Sequence, residues 1–173
     1  YVWFWLLMRL GFNVSKDSRI KLISGVESTL LSSLTERFHR EVLVPNVNYK
    51  VIDFIHKKRS EGDKIVIVSA AISDYILYFA KQFDFEFIIA AKLEQENDIA
   101  TGELNEPLVY GSLKVDKLKE LFIDLELQHY NIVGISDSIH DLPLLEWCND
   151  PVVILDVCPE LTKVGRERQW QLL

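Results

Sequence analysis

Positively charged residues are too few in this sequence to indicate a protein that binds nucleic acid. The 173 residues include 19 lysines and arginines but 26 aspartates and glutamates, which gives a formal net charge of −7. A surface that binds a phosphate backbone is basic, so the charge balance argues against such a partner. An excess of carboxylates agrees better with a site that gathers them around a cation.

Cysteine is also scarce. Cys148 and Cys158 are the only two, they lie ten residues apart, and they have no second pair and no neighbouring histidine. This arrangement excludes a zinc ribbon and a redox pair, and it predicts reduced thiols in a cytoplasmic protein.

Long apolar runs are missing as well. The opening residues 1–8 are apolar, but they fall short of the roughly 18 residues that indicate a membrane-spanning helix. No cleavable signal is visible, and we therefore expect no stable membrane span. The sequence opens without a methionine, so we expect its start to be cut.

An alternation of strand-like and helix-like patterns indicates an α/β fold. Short runs rich in β-branched residues, typical of strands buried on both faces, alternate with amphipathic helical patterns. The four predicted strands are residues 64–69, 85–91, 130–135 and 151–155. This alternation predicts a Rossmann-like parallel sheet with helices on both faces. Residues 92–107 alternate weakly around Thr101-Gly102, which predicts a β-hairpin.

The first 44 residues contain no convincing strand. Apolar side chains recur there at helical spacing, while serines and threonines occupy the other faces. The apolar positions are Leu22, Ile23, Val26, Leu30 and Leu34. We therefore divide the chain into a helical segment, residues 1–44, and an α/β core, residues 45–173.

In a parallel α/β sheet the chemistry is located at the carboxyl ends of the strands. Ser69 closes the first predicted strand, and its hydroxyl could form an anion-binding seat with the free backbone N–H groups of Ala70 and Ala71. The alternative interpretation is that Ser69 only caps the helix that follows it. Lys114 opens a predicted helix, where the helix dipole disfavours a cation unless an anion lies nearby. An ordinary solvated lysine is the alternative interpretation.

The third strand end carries the strongest signal. Asp137 and Asp141 lie four residues apart on the turn that leaves strand 130–135. Crowding two carboxylates beside a buried strand costs free energy unless a cation is present. Mg²⁺ suits such a site because it binds one or two carboxylates and fills its other positions with water and phosphate. A surface turn with unrelated acids is the alternative, and His140 between them is more often solvated than catalytic.

These residues resemble motifs II, III and IV of the haloacid dehalogenase superfamily, in that order. Motif II corresponds to Val68-Ser69, motif III to Lys114 within Gly-Ser-Leu-Lys-Val, and motif IV to residues 136–145. The resemblance is to the phosphoserine-phosphatase-like branch, the HAD-IB hydrolases, and residues 158–170 resemble the tail of that branch. Residues 1–44 stand where the family has its helical cap, of which they would form a part.

The resemblance implies a phosphohydrolase site with divided roles. Ser69 would hydrogen-bond the transferring phosphoryl group of a small phosphorylated substrate, and Lys114 would neutralise its charge. Asp137 would bind Mg²⁺ directly, and Asp141 would complete the metal site by orienting the lysine or the water shell of the metal. The reaction would pass through an aspartyl-phosphate that water hydrolyses.

The sequence departs from the family at motif I, Asp-x-Asp-x-Thr after an apolar strand. No such motif precedes residue 60. In the family that strand lies in the middle of the sheet, so we expect residues 64–68 and 131–135 to face one another across a slot about 9–10 Å wide.

Two hypotheses about the function stay open. The first is a Mg²⁺-dependent phosphatase whose first strand lies outside this sequence, and the second is a non-catalytic binding or regulatory module of the same fold. Retention of all four site residues favours the first.

Overall fold

The computed structural model describes residues 20–126 and 130–173 as alternating helices and strands. The α-helices are α1 (Ser28–Phe38), α2 (Tyr49–Ser60), α3 (Ser73–Gln82), α4 (Leu113–Asp124), α5 (Leu142–Trp147) and α6 (Pro159–Glu167). The strands are β1 (Val66–Val68), β2 (Phe87–Ile89), β3 (Leu93–Glu96), β4 (Ile99–Leu104), β5 (Val133–Ser136), β6 (Asp150–Val153) and β7 (Gln171–Leu172). A π-helical turn (His39–Leu43) and 3₁₀ turns (Val44–Asn46, Ile139–Asp141) are also present. No helix in these ranges combines the length and apolar character that crossing a membrane requires.

The parallel strands form two sheets. β1 pairs with β2 in parallel, and β5, β6 and β7 form a second parallel sheet in that order. β3 and β4 form an antiparallel hairpin. Helices alternate with the parallel strands along the chain. The predicted α/β class with a parallel arrangement of strands is therefore confirmed.

Helix α1 forms within the predicted helical segment, but the predicted apolar positions do not all lie on its buried side. Leu22, Leu30 and Leu34 are exposed, whereas Leu31 and Thr35 are buried. The buried side is set by the packing of α1 against α3, and helical spacing alone does not say which side meets a neighbour. Residues 1–19 lie outside the described ranges, so the division of the chain at residue 44 stays a prediction.

The hairpin lies where the sequence predicts it but turns at another place. Its strands join at Asn97 and Asp98, whose φ angles are +49° and +64°, a conformation that Asn and Asp tolerate better than most residues. The predicted turn at Thr101-Gly102 is wrong. Gly102 lies within β4 at φ +85°, and a Cβ there would come within 2.8 Å of the Ser24 Cβ. The glycine therefore permits a close approach between the hairpin and the segment before α1.

One apolar cluster joins the two sheets. Its buried centre comprises Val115 and Leu118 of α4, together with Leu144 of α5 and Cys148. The partly buried side chains that pack against this centre are Val66, Val68, Ile89, Phe122, Ile132 and Trp147. Helices α4 and α5 therefore cover both the β1–β2 sheet and the β5 end of the second sheet.

A cavity, called the slot from here on, lies between β1 and β5. The two strands belong to different sheets and are not hydrogen-bonded to each other, as expected. The slot has a volume of ≈ 500 Å³ and is lined by Val66 and Val68 on one side and by Val133 and Ile135 on the other. The separation of the two strands by two strand spacings stays a prediction.

Gly134 in β5 is a sensitive point for stability. A Cβ at this position would overlap the Sγ of Cys148 and would lie 3.5 Å from a methyl carbon of Leu145. Burial also keeps the Cys148 thiol neutral, since desolvation raises its pKa to about 11. Overpacking of this kind costs about 1–3 kcal/mol. We expect Gly134→Ala to lower the free energy of unfolding by that amount in urea denaturation at pH 7.

A double-mutant cycle tests the cause. In a Cys148→Ala background the sulfur is gone, so Gly134→Ala should cost less there than in the unaltered protein. An equal cost in the two backgrounds would mean that the contact with Cys148 is not the source of the effect.

Candidate active site

A buried ion pair lies at the carboxyl end of β5. Lys114 Nζ is 2.6 Å from Asp141 Oδ1, and the two side chains are only 8% and 14% exposed. The Ser136 hydroxyl donates a hydrogen bond of 2.8 Å to Asp141 Oδ2. Both carboxylate oxygens of Asp141 are therefore engaged. Because desolvation can outweigh the attraction within a buried pair, the pair is weak evidence for a purely stabilising role.

Lys114 is held in the first turn of α4. Gly111 precedes this helix with φ +57°, a left-handed conformation that glycine adopts without a Cβ penalty. The helix dipole alone disfavours a buried cation at this end, and the carboxylate of Asp141 offsets that effect. The carboxylate of Asp141 is thus the nearby anion that the position of Lys114 in the sequence suggests. The alternative of an ordinary solvated lysine is wrong.

A tight turn after β5 places Asp141. The Ser138 N–H donates to the Ser136 hydroxyl oxygen at 3.1 Å, and the His140 N–H donates to the Ser138 hydroxyl oxygen at 3.3 Å. The Asp141 N–H then donates to the Ser138 carbonyl at 3.0 Å. These short-range bonds close the 3₁₀ turn that leads from β5 into α5, and they direct Asp141 back towards Lys114.

Asp137 has a different environment from Asp141. It is exposed, and within the described ranges neither a hydrogen bond nor an ion pair engages its carboxylate. Asp137 and Asp141, four residues apart on one turn, are therefore not equivalent. One is fixed by a lysine and a serine, and the other is available to a ligand.

Ser69 follows β1 and is partly buried. Its N–H donates to the Ile89 carbonyl at 2.9 Å, and its hydroxyl oxygen accepts from the Ala71 N–H at 3.0 Å. The prediction that the N–H groups of Ala70 and Ala71 are both free to bind an anion is therefore wrong for Ala71. The helix-cap alternative is also wrong, because α3 begins at Ser73 and its N-cap residue is Ile72. No hydrogen bond in the described ranges joins Ser69 to the Lys114–Asp141 pair.

Two contributors to the site were not singled out from the sequence. Ser136 lies within motif IV, and its position at the end of a strand was the signal that could have indicated its contact with Asp141. Tyr110 gave no periodic or motif signal. Its ring lies 5.1 Å from the ring of His140, centroid to centroid. His140 is exposed, and its ring packs against that of Tyr110. The two rings lie at the outer edge of the site.

The acidic residues suit Mg²⁺ better than a metal with a closed ligand set. In residues 20–126 and 130–173 no three His, Cys, Asp or Glu side chains gather as metal ligands, whereas a structural zinc site needs four ligands. Mg²⁺ is usually bound by one or two carboxylates, with water and substrate phosphate at its other positions. The available carboxylate of Asp137, with Asp141 nearby in sequence, fits that pattern.

Known proteins share both the sequence pattern and the fold. The family model for haloacid dehalogenase-like hydrolases matches residues 1–146. A phosphoserine phosphatase of Lactococcus lactis subsp. lactis is 24% identical over 151 residues, which cover 83% of this chain and 67% of that protein.

Solved structures share the fold of this chain. A Bordetella pertussis protein of unknown function superposes with a TM-score of 0.84 at 21% identity, over 97% of this chain and 78% of that one. The unliganded probable phosphoserine phosphatase of Vibrio cholerae superposes with a TM-score of 0.66 at 19% identity, over 96% of this chain and 49% of that one. The resemblance read from the motifs is thus confirmed. This chain belongs to the haloacid dehalogenase-like hydrolase family and is similar to its phosphoserine phosphatases.

Proposed function

We propose that this chain forms the core of a Mg²⁺-dependent phosphatase of the HAD-IB type that acts on small phosphate monoesters. The observation that carries the proposal is the buried Lys114–Asp141 pair beside the exposed Asp137, at the carboxyl end of β5. The name of the Lactococcus lactis relative supports a phosphorylated metabolite as the substrate class. Two unpaired cysteines agree with the expected cytoplasmic location.

The residues of this chain would bind and orient the phosphoryl group. Lys114 is a fixed positive charge that stabilises the negative charge developing on the phosphoryl oxygens. Asp141 acts as a positioning residue, because it holds the lysine ammonium in place. Ser69 would donate its hydroxyl hydrogen to a phosphoryl oxygen. Asp137 would hold Mg²⁺, which when bound adds further charge stabilisation at the phosphoryl group.

The proposed reaction passes through an aspartyl-phosphate. A carboxylate oxygen of the nucleophile forms a bond to phosphorus while the bond from phosphorus to the ester oxygen breaks, and the alcohol leaves after taking up a proton. Water then hydrolyses the acyl phosphate and releases inorganic phosphate. By resemblance to the family, the nucleophile would be the first aspartate of motif I. Residues 1–173 contain no Asp-x-Asp.

An assay with and without motif I tests the proposed function. In the strand-joined protein, an apolar strand ending in Asp-x-Asp-x-Thr is attached ahead of Tyr1. It should release phosphate from p-nitrophenyl phosphate in the presence of Mg²⁺, and EDTA should abolish the release. Residues 1–173 alone should hydrolyse no phosphate ester, because the remaining groups can only hold a phosphate.

The same assay separates the enzyme from a non-catalytic module. A matched strand-joined protein with asparagine as the first residue of the motif controls for folding, and it should bind Mg²⁺ without releasing phosphate. If the strand-joined protein is folded and binds Mg²⁺ but stays inert towards a broad panel of phosphate esters, the binding or regulatory module becomes the better hypothesis.

A further inference from the structure

The backbone around Ser136 fixes the position of its side chain. Ser136 is the last residue of β5, where it lies opposite Val153 of β6, and its carbonyl accepts a hydrogen bond from the Ile154 N–H at 2.9 Å. The residue is only 6% exposed. The ladder between β5 and β6 therefore sets where the Cβ of Ser136 lies, at the buried edge of the candidate site.

The hydroxyl of Ser136 is fixed in rotation as well. Its oxygen accepts from the Ser138 N–H at 3.1 Å, and its hydrogen is donated to Asp141 Oδ2 at 2.8 Å. A serine hydroxyl has one hydrogen to donate, so that hydrogen belongs to Asp141. The other carboxylate oxygen, Oδ1, contacts the Lys114 ammonium at 2.6 Å. Ser136 and Lys114 therefore hold the carboxylate through its two oxygens.

This hydrogen bond controls the direction in which Asp141 points. Without it, Oδ2 would be a nearly buried acceptor without a partner, which is costly, and the carboxylate would turn towards another donor. A metal ion held by Asp137, on the same turn, would supply such donors as bound water molecules. The bond from Ser136 keeps Oδ2 at the end of β5 and Oδ1 against Lys114, so the carboxylate does not turn towards Asp137.

We propose that Ser136 is a positioning residue that keeps Asp141 bonded to Lys114 and leaves Asp137 as the carboxylate that binds Mg²⁺. Its role in fixing the Lys114 ammonium follows from the contacts of this chain alone. Its effect on the metal rests on the proposed function, because only the phosphatase would hold Mg²⁺ at Asp137. One hydroxyl thus gives two acids on one turn different tasks.

NMR spectra of side-chain ammonium groups in residues 1–173 test the first part of the proposal. The Lys114 ammonium is buried and paired, so its protons should exchange slowly with water and give a visible signal, which is assigned by its absence from Lys114→Arg. Ser136→Ala should speed this exchange at least about tenfold, since a hydrogen bond to a charged group shifts an equilibrium by that factor or more.

Ser138→Ala is the matched control in the same turn. The Ser138 hydroxyl oxygen accepts from the His140 N–H at 3.3 Å, and within the described ranges no hydrogen bond joins that hydroxyl to Asp141. Its removal loosens the turn but takes no bond from the carboxylate, so the exchange of the Lys114 ammonium should change much less. An equal increase in the two variants, or no increase in Ser136→Ala, would overturn the proposal.

A double-mutant cycle of Mg²⁺ binding in the strand-joined protein tests the second part. With Ser136 present, Asp137→Asn should weaken binding at least about tenfold. In a Ser136→Ala background the released carboxylate of Asp141 takes over part of the metal binding, so the loss caused by Asp137→Asn should be at least about threefold smaller. Isothermal titration measures both losses. Equal losses in the two backgrounds would mean that Ser136 does not keep Asp141 from the metal.

Phosphate release distinguishes a failure of this proposal from a failure of the proposed function. In an active strand-joined protein, Ser136→Ala should lower kcat at least about tenfold with little change in KM, because a loosely held Lys114 is no longer placed for the transition state. An unchanged kcat would refute the positioning role. If the strand-joined protein is inert but Ser136→Ala still speeds exchange of the Lys114 ammonium, the proposed function fails and Ser136 still positions the pair.

Discussion

Replacing Lys114 with alanine should lower kcat of the strand-joined protein by at least about 100-fold, the scale expected when one preorganised charge-stabilising group is removed. The Lys114 ammonium is buried and held by Asp141 at 2.6 Å, so its positive charge is fixed in place before the substrate binds. The loss should appear in kcat more than in KM, because the charge on the phosphoryl oxygens is greatest in the transition state. Steady-state kinetics with p-nitrophenyl phosphate measure both constants.

Lys117 provides the matched control on the same helix. It forms ion pairs with Glu106 and Glu120 near the surface, and Lys117→Ala should leave kcat unchanged. Removal of Lys114 also leaves the Asp141 carboxylate without its cation, which costs about 3–5 kcal/mol of stability. Adding Asp141→Asn removes that unpaired charge, and the loss of kcat should persist in the folded double variant. Normal kcat in folded Lys114→Ala would show that the lysine has no part in the reaction.

The residues of the candidate site could be singled out from the sequence because they mark local boundaries. Ser69 and Asp137 each follow a run of β-branched or aliphatic residues, where a buried strand gives way to a polar turn. Such a change can be recognised without knowing which distant segments pack nearby, because the patterns of strands and turns extend over only a few residues. The order of strands and helices, and with it the parallel arrangement, follows from the same signals.

The remaining features depend on contacts between distant segments. Leu30 is exposed and Leu31 is buried, a difference that is decided by the position of α3 and not by the sequence of α1. The ion pair of Asp141 is formed with Lys114, which lies on another element. Asn97 and Asp98 are a local sequence signal for the hairpin turn, but the nearby Gly102 is a competing turn signal. The structure gives Gly102 another role, because it permits the close approach of Ser24.

The other large effect is expected for metal binding. In the strand-joined protein, Asp137→Asn should weaken Mg²⁺ binding at least about tenfold, a loss of about 1.4 kcal/mol, whereas Asp141→Asn should change it much less. The reason lies in the different engagement of the two carboxylates. Asp137 is exposed, with a carboxylate that no described residue bonds, while both oxygens of Asp141 are already engaged by Lys114 and Ser136.

Isothermal titration of Mg²⁺ into each variant measures this difference. Asp116→Asn, an exposed acid in the first turn of α4, controls for the general loss of one negative charge and should leave the affinity unchanged. Asp141→Asn should instead weaken binding of inorganic phosphate, because Lys114 then loses the carboxylate that fixes its ammonium. Equal losses of Mg²⁺ affinity in Asp137→Asn and Asp141→Asn would assign both carboxylates to the metal. The Lys114–Asp141 bond would then have to open when the metal binds.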